Sequence, residues 1–319
     1  MGHEDIKIAV SSTSFSRNEV LVKELLRVFP CARFSTEPFL KEIDLANFYQ
    51  GCEGIVVGTE RITRSILQLN PQITVLSKYG VGLNNLDLEL LKESGIQLCV
   101  TPGINRNCVA ELALTMMLSL CHRMDELTQL LRTGKWMREG GSELSSKTIG
   151  IIGCGNVGSR LIELLSPMKC RILVVDIENR VEFCNTHNAR QVSLENLLLE
   201  SEIISLHVPF TRLTESMVNQ SFLANMNAGS LLINTSRGEV VCLDSLYLSL
   251  KEGHLGGAAV DVYAPEPPGM LKIFQLANLL PTPHIGGASK EARLAMGRAA
   301  IHHLVNYYSG ARKKRGPSE

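Results

Sequence analysis

The run Lys147-Thr-Ile-Gly-Ile-Ile-Gly-Cys-Gly-Asn-Val-Gly-Ser159, followed by Asp176, constrains the fold more than any other feature of the chain. It reads, in order, as a buried strand, a glycine turn and a helix start. Gly153 permits the tight turn, Gly155 lets backbone approach a pyrophosphate, and Gly158 lets the helix pack closely on the strand. The N–H groups opening the new helix would face the phosphates. Asp176 closes the next apolar run, Arg171-Ile-Leu-Val-Val175, where an acidic side chain accepts hydrogen bonds from an adenosine ribose. Such an acid favours NAD and repels the additional phosphate of NADP. Glycines are common in turns, so the flanking strand, helix and spaced acid carry the inference. The fingerprint begins near mid-chain, so a second folding unit must come from the first half.

Short apolar runs alternate with helix-period segments almost from end to end. Residues 6–10, 54–57, 73–77 and 96–100 read as strands buried on both faces, with helices over 17–29, 63–69 and 86–94. This predicts a first α/β unit with a parallel sheet. Pro102-Gly103 ends its last strand. One long apolar helix over 107–131 then suits a connector between domains, and Gly134, Gly140 and Gly141 punctuate a loop carrying the only tryptophan, Trp136. Strands of the second unit are expected at 148–152, 171–175, 203–207, 231–234, 258–262 and 279–280. A last helix over 290–308 is placed back on the first domain, which is therefore discontinuous. A chain of 319 residues has room for both.

Composition narrows the partners. Hydrophobic residues make up 45% and charged residues 20%, as in a globular chain with a sizeable core. Lysine plus arginine balances aspartate plus glutamate at 32 each, so no net field recruits nucleic acid or membrane. The basic cluster Arg312-Lys-Lys-Arg315 reads as a solvated, frayed tail. Nine scattered cysteines without a C-x-x-C pair argue against a disulfide framework and a metal site, and for a reducing cytoplasm. Cys154 reads as a small residue of the turn rather than a nucleophile. No apolar run reaches the length of a membrane span, and the opening Met-Gly-His-Glu-Asp lacks signal-peptide character. A soluble protein is expected.

In an open parallel sheet, ligands sit beyond the carboxyl ends of the strands. Arg237 follows one such strand and precedes a glycine; guanidinium pairs with a carboxylate through two parallel hydrogen bonds. Alone, it reads equally as a surface arginine in a loop. Glu266 lies between two prolines and alone would be a solvated acid. His284 follows Pro283 and precedes Gly286-Gly287, which admit a close ligand. His3, His187, His254, His302 and His303 read as surface or structural residues, and His122 as facing a core or a domain contact. Together Arg237, Glu266 and His284 make a hydride-transfer site. An imidazole exchanges a proton with a hydroxyl near neutrality, a carboxylate favours its charged form, and the arginine fixes the substrate carboxylate.

Three segments, Asn234-Thr-Ser-Arg-Gly-Glu239, Asp261-Val-Tyr-Ala-Pro-Glu-Pro267 and Pro283-His-Ile-Gly-Gly287, resemble the signatures of the D-isomer-specific 2-hydroxyacid dehydrogenases. The resemblance extends to Ser309. It implies an α/β fold of two doubly wound parallel-sheet domains, a Rossmann NAD domain (105–285) inserted in a flavodoxin-like catalytic domain (1–104 and 286–319). It implies a homodimer built mainly by NAD domains, with Arg237, Glu266 and His284 catalytic. Cofactor contacts are implied at Val109, Gly153, Gly155, Asn156, Val157, Gly158, Asp176, His207, Val208, Pro209, Thr211, Thr235, Ser236, Asp261, His284 and Gly287, with Asp261 at the nicotinamide end. In the substrate loop, Lys78-Tyr-Gly-Val-Gly-Leu-Asn-Asn-Leu-Asp87, the resemblance implies substrate contacts at Lys78, Tyr79, Val81 and Gly82. Asn105, in the hinge that follows, would brace the site. The family pattern often has Arg where Lys78 stands and Asp where Asn84 stands.

Within the family the chain resembles short-form D-3-phosphoglycerate dehydrogenases, lacking the extra regulatory domain of many relatives. Lys78 and Arg106 would supply charge for a substrate phosphate, or else are solvated loop charges. Glyoxylate, hydroxypyruvate and other D-2-hydroxy acids stay open as substrates. So does a reading of another class, the NAD-responsive scaffold of C-terminal-binding-protein corepressors.

Overall fold

A computed structural model describes residues 4–39 and 41–315, the stretch 311–315 in backbone only. The chain divides into two compact units, Met1–Asn105 with Ser289–Glu319, and Arg106–Ala288. The crossings thus fall at 105/106 and 288/289, against the 104/105 and 285/286 expected. His3 lies outside the described residues, as do the side chains of the basic cluster 312–315.

The first unit holds a five-stranded sheet in the order β2-β1-β3-β4-β5. Its strands are β1 (Ile8–Val10), β2 (Arg33–Phe34), β3 (Gly54–Val57), β4 (Val75–Lys78) and β5 (Gln97–Cys99), every pair parallel. β1, β3 and β4 are buried at each position, as strands covered on both faces must be. The edge strand β2 was not expected, because Arg33-Phe34 is too short and too polar to show a period. The helix Lys290–Arg315 closes this unit. Its Met296, Ala300 and Leu304 share one apolar cluster with Leu21 and Leu25 of the helix Glu19–Val28 and with Phe29, which ends that helix. Each fully enclosed leucine there contributes about 1.5–3 kcal/mol. Gly297 makes the approach possible, since a Cβ there would stand 2.2 Å from Leu21 Cδ1. His303 is structural, its ring nitrogens 3.2 Å from Ser77 Oγ and 2.8 Å from Thr101 Oγ1.

The second unit holds a seven-stranded parallel sheet in the order β12-β11-β10-β9-β6-β7-β8. The strands are β6 (Thr148–Ile152), β7 (Arg171–Val175), β8 (Ala189–Gln191), β9 (Ile203–Leu206), β10 (Leu231–Asn234), β11 (Gly257–Val260) and β12 (Leu279–Pro281). β6 pairs with β7 on one side and β9 on the other, so the strand order reverses there. That reversal leaves a crevice beyond the carboxyl ends of β6 and β9, the general ligand position of such sheets.

The single helix expected over 107–131 is two helices, Arg106–Cys121 and Met124–Arg132. In an unbroken helix each carbonyl accepts the N–H four residues on. Here the Cys121 carbonyl instead accepts the Ser142 N–H at 2.8 Å, and Arg123 turns left-handed at φ +52°. Gly141 allows this intrusion, because a Cβ there would lie 1.6 Å from that oxygen. The first of the two helices is not a connector but part of the second unit. Its Ala110, Ala113 and Met117 join Leu161 and Ile162 of the helix Asn156–Leu165 in one cluster. His122, expected to face a core or a domain contact, is exposed at the break and so is not a core residue.

Candidate active site

The glycine turn is built as its spacing required. Gly153 has φ +93°, and a Cβ on it would stand 2.6 Å from the His207 carbonyl. A Cβ on Gly158 would stand 1.9 Å from the Gly153 carbonyl, which explains the close helix-to-strand packing. Gly155 differs: its two chain neighbours apart, no atom of the described residues lies within 4 Å of its missing Cβ, so its face is open to a ligand. Asn156 and Val157 open the helix beside it. Asp176 is joined to the turn, accepting the Cys154 N–H at 2.6 Å and the Glu178 N–H at 2.8 Å. It therefore caps its own following segment as well as facing the turn. Cys154 is buried, and burial pushes its thiol up to about 11, so no thiolate is available.

Two orphaned polar atoms line the neighbouring strand ends. His207 follows β9, and its Nε2 lies 2.9 Å from Ser205 Oγ while its buried Nδ1 has no partner among the described residues. Burial brings its pKa down to about 4, so the ring is neutral. Thr235 Oγ1 is likewise buried without a partner. Buried polar groups left unmade are rare and call for an explanation. A dinucleotide along these strand ends meets that need and also the open face of Gly155, so the residues present fit NAD. Ser236 Oγ, by contrast, is engaged by Asn234 Oδ1 at 2.8 Å. Thr211 is exposed and tied to Thr214, while Val208 lies beside Gly153.

The loop after β10 is held by Asn234, whose Oδ1 accepts the Ser236 N–H at 3.0 Å and whose Nδ2 donates to the Arg237 carbonyl at 3.0 Å. Gly238 then runs against the loop after β11, a Cβ there falling 2.1 Å from the Tyr263 carbonyl carbon. This close approach brings Arg237 near Glu266. Burial pulls the Arg237 guanidinium below its ordinary value, and Glu239 and Glu266 oppose that shift. Glu266 Oε1 accepts the Tyr263 N–H at 2.9 Å, which aims Oε2 at His284 Nδ1, 2.7 Å away.

His284 sits at φ +53°, a left-handed conformation that costs a residue with a side chain about 1–3 kcal/mol. Asp261 supplies the restraint. It is 1% exposed, and its carboxylate accepts Thr282 Oγ1–H at 2.6 Å and the N–H groups of Ile285 and Gly286 at 2.8 Å each. Asp261 thus grips the chain on both sides of His284. Gly286 fits because a Cβ there would press to 3.0 Å of Asp261 Oδ2, with Val109 at 3.6 Å; Gly287 follows half-buried.

A strand-end guanidinium, a carboxylate–imidazole pair and a fitted dinucleotide turn are the parts of a hydride-transfer site. Comparison with known proteins decides the family. The model of the D-isomer specific 2-hydroxyacid dehydrogenase NAD binding domain matches residues 114–286. The chain belongs to the D-isomer-specific 2-hydroxyacid dehydrogenase family. Over 265 residues it is 33% identical to a glyoxylate reductase of Thermococcus litoralis, covering 80% of each chain. It is 33% identical over 260 residues to a hydroxypyruvate reductase of Thermotoga maritima, covering 78% of this chain and 82% of that one. Among solved structures it resembles the D-lactate dehydrogenase of Aquifex aeolicus complexed with NAD and lactic acid. There the TM-score is 0.85 at 26% identity, over 95% of this chain and 96% of that one.

This NAD-dependent dehydrogenase carries the remaining expected residues in its first unit, with Arg106 opening the second. Lys78 is neither a solvated charge nor an exposed one: it is 4% exposed, and its ammonium donates to the Gly58 carbonyl and, at 2.7 Å, to Asn85 Oδ1. Tyr79 is a core residue, edge-on to Phe15 at 5.6 Å, with its hydroxyl 3.3 Å from Ser14 Oγ. Val81 and Gly82 are half-buried, and neither N–H meets an acceptor among the described residues. Asn105 is half-buried and Arg106 exposed. Asn234 and Gly238 of this dehydrogenase were visible only as letters in a motif, and their work as ties between loops has no sequence signal. Among the described residues no group of three or more His, Cys, Asp or Glu is placed to hold a metal, and no helix is long and apolar enough to cross a membrane.

Proposed function

We propose that the chain reduces a small 2-keto acid, glyoxylate or hydroxypyruvate, to the 2-hydroxy acid, with NADH as reductant. The observation that carries the reading is the 2.7 Å contact of Glu266 with His284 Nδ1 beside a half-buried Arg237. Bound NADH supplies the hydride; the chain's own residues do the rest. His284, its Nδ1 engaged by Glu266, gives a proton through Nε2 to the carbonyl oxygen as it becomes a hydroxyl. Glu266 stabilises the imidazolium before that transfer and keeps the ring oriented. Arg237 holds the substrate carboxylate by a two-bond fork.

Gly153, Gly155, Asn156, Val157 and Gly158 would hold the pyrophosphate, Asp176 the ribose, and His207 and Thr235 further polar atoms of the cofactor. The names of the relatives favour glyoxylate or hydroxypyruvate over 3-phosphoglycerate. Lys78 adds a physical reason, since the ammonium the phosphate reading needs is buried and engaged by Gly58 and Asn85. Nine free cysteines favour a reducing cytoplasm, and a homodimer through the NAD domain remains our expectation. The test is steady-state kinetics with NADH over glyoxylate, hydroxypyruvate, 3-phosphohydroxypyruvate and pyruvate. The highest kcat/KM should fall on one of the first two. A preference for the phosphorylated acid would restore the 3-phosphoglycerate reading, and silence across the panel would favour a scaffold.

A further inference from the structure

After β7 the chain runs Asp176-Ile-Glu-Asn-Arg180, and one side chain from another strand holds it. Gln191 ends β8 with Val174 of β7 as its register partner. Its amide oxygen accepts the Arg180 N–H at 2.7 Å, and its amide nitrogen donates to the carbonyls of Glu178 at 2.8 Å and Asp176 at 3.4 Å. Glu178, placed in this way, gives its own N–H to Asp176 Oδ1 at 2.8 Å. Apolar packing does not fix this turn, because Ile177 is 98% exposed. The fixing is done by an amide used on both its donor and acceptor sides, which neither a carboxylate nor a thioether can reproduce. Arg180, the one cation of the turn, is engaged by Glu178 at 2.5 Å, so a phosphate arriving there must compete for it.

We infer that Gln191 is a positioning residue for cofactor selection: it holds the Asp176 carboxylate where that group accepts the ribose hydroxyls of NAD and repels the 2′-phosphate of NADP. The inference rests on the reading of Asp176 as the ribose contact. The test is equilibrium titration of the full chain with NADH and with NADPH, alongside thermal unfolding, in the parent, Gln191→Met, Asp176→Ala and the double variant. Gln191→Met should raise the NADH dissociation constant roughly fivefold to tenfold, the worth of one or two hydrogen bonds, and leave that of NADPH nearly unchanged. On the Asp176→Ala background it should add less than about twofold, because coupled residues are non-additive.

Equal weakening of both cofactors, no change in either, or full additivity in the double variant would overturn the inference. An Asp176→Ala ratio identical to the parent's would instead overturn the ribose reading itself. Should Gln191→Met fail to fold, Gln191→Asn keeps an uncharged amide but draws it back by one methylene, too short to make all three hydrogen bonds. It should narrow the same ratio to a smaller degree, and an unchanged ratio there would equally overturn the inference.

Discussion

At the residue scale, the pairing of His284 with Glu266 depends on a left-handed backbone that Asp261 restrains from beneath. The His284 ring is fixed on both sides, by side chain and by main chain. Replacing His284 with Asn should slow turnover by roughly 10²–10⁴, the usual worth of a general acid–base group. NADH should still bind, because the turn that would hold its pyrophosphate lies elsewhere. Stopped-flow or steady-state rates, set beside an NADH titration, check both halves; near-normal turnover would remove His284 from the mechanism. The carboxylate–imidazole pair was legible in the sequence, as Glu266 and His284 at two strand ends. The grip of Asp261 was not, since nothing in the order of residues says that one carboxylate will accept three hydrogen bonds from a loop more than twenty positions on.

At the element scale, two glycines of one turn do different work. Gly158→Ala places a methyl 1.9 Å from the Gly153 carbonyl, backbone that cannot yield without moving the helix. It should lower stability by about 1–3 kcal/mol or more and weaken NADH binding with it. Gly155→Ala meets nothing within 4 Å, so the cofactor-free protein should melt within about 1–2 °C of the parent and still lose NADH affinity. Thermal melts and NADH titrations of the two variants check the contrast; equal destabilisation would contradict it. This turn was legible because glycine spacing is a local signal. The edge strands β2 and β8 and the break after Cys121 were not. The first two are too short and polar to show a period, and the break is made by Gly141 and Ser142 arriving from about twenty residues away.

At the scale of the whole molecule, a half-buried neutral histidine ties stability to pH. His207 has a pKa of about 4 in the folded chain, below the ordinary 6.5, so the unfolded chain binds the extra proton between those values. Stability from this source is complete above about pH 6.5 and is lost as pH falls toward about 4. Urea unfolding without cofactor should therefore show the parent losing on the order of 1–2 kcal/mol more than His207→Asn between about pH 7 and pH 5. Identical losses in the two proteins would contradict the burial of a neutral ring. The two-unit, parallel-sheet plan was legible because buried strands alternate with helical periods along most of the chain. The substrate was not, because it depends on side chains such as Lys78 whose surroundings no local pattern reveals.

Hydride transfer to one face of a 2-keto acid leaves its mark in the chirality of the product. The protein would be incubated with NADH and hydroxypyruvate, and the glycerate formed resolved on a chiral column against both enantiomers. D-glycerate alone is expected, formed in step with the loss of reduced nicotinamide. L-glycerate, a racemic mixture, or NADH consumption without glycerate would contradict it.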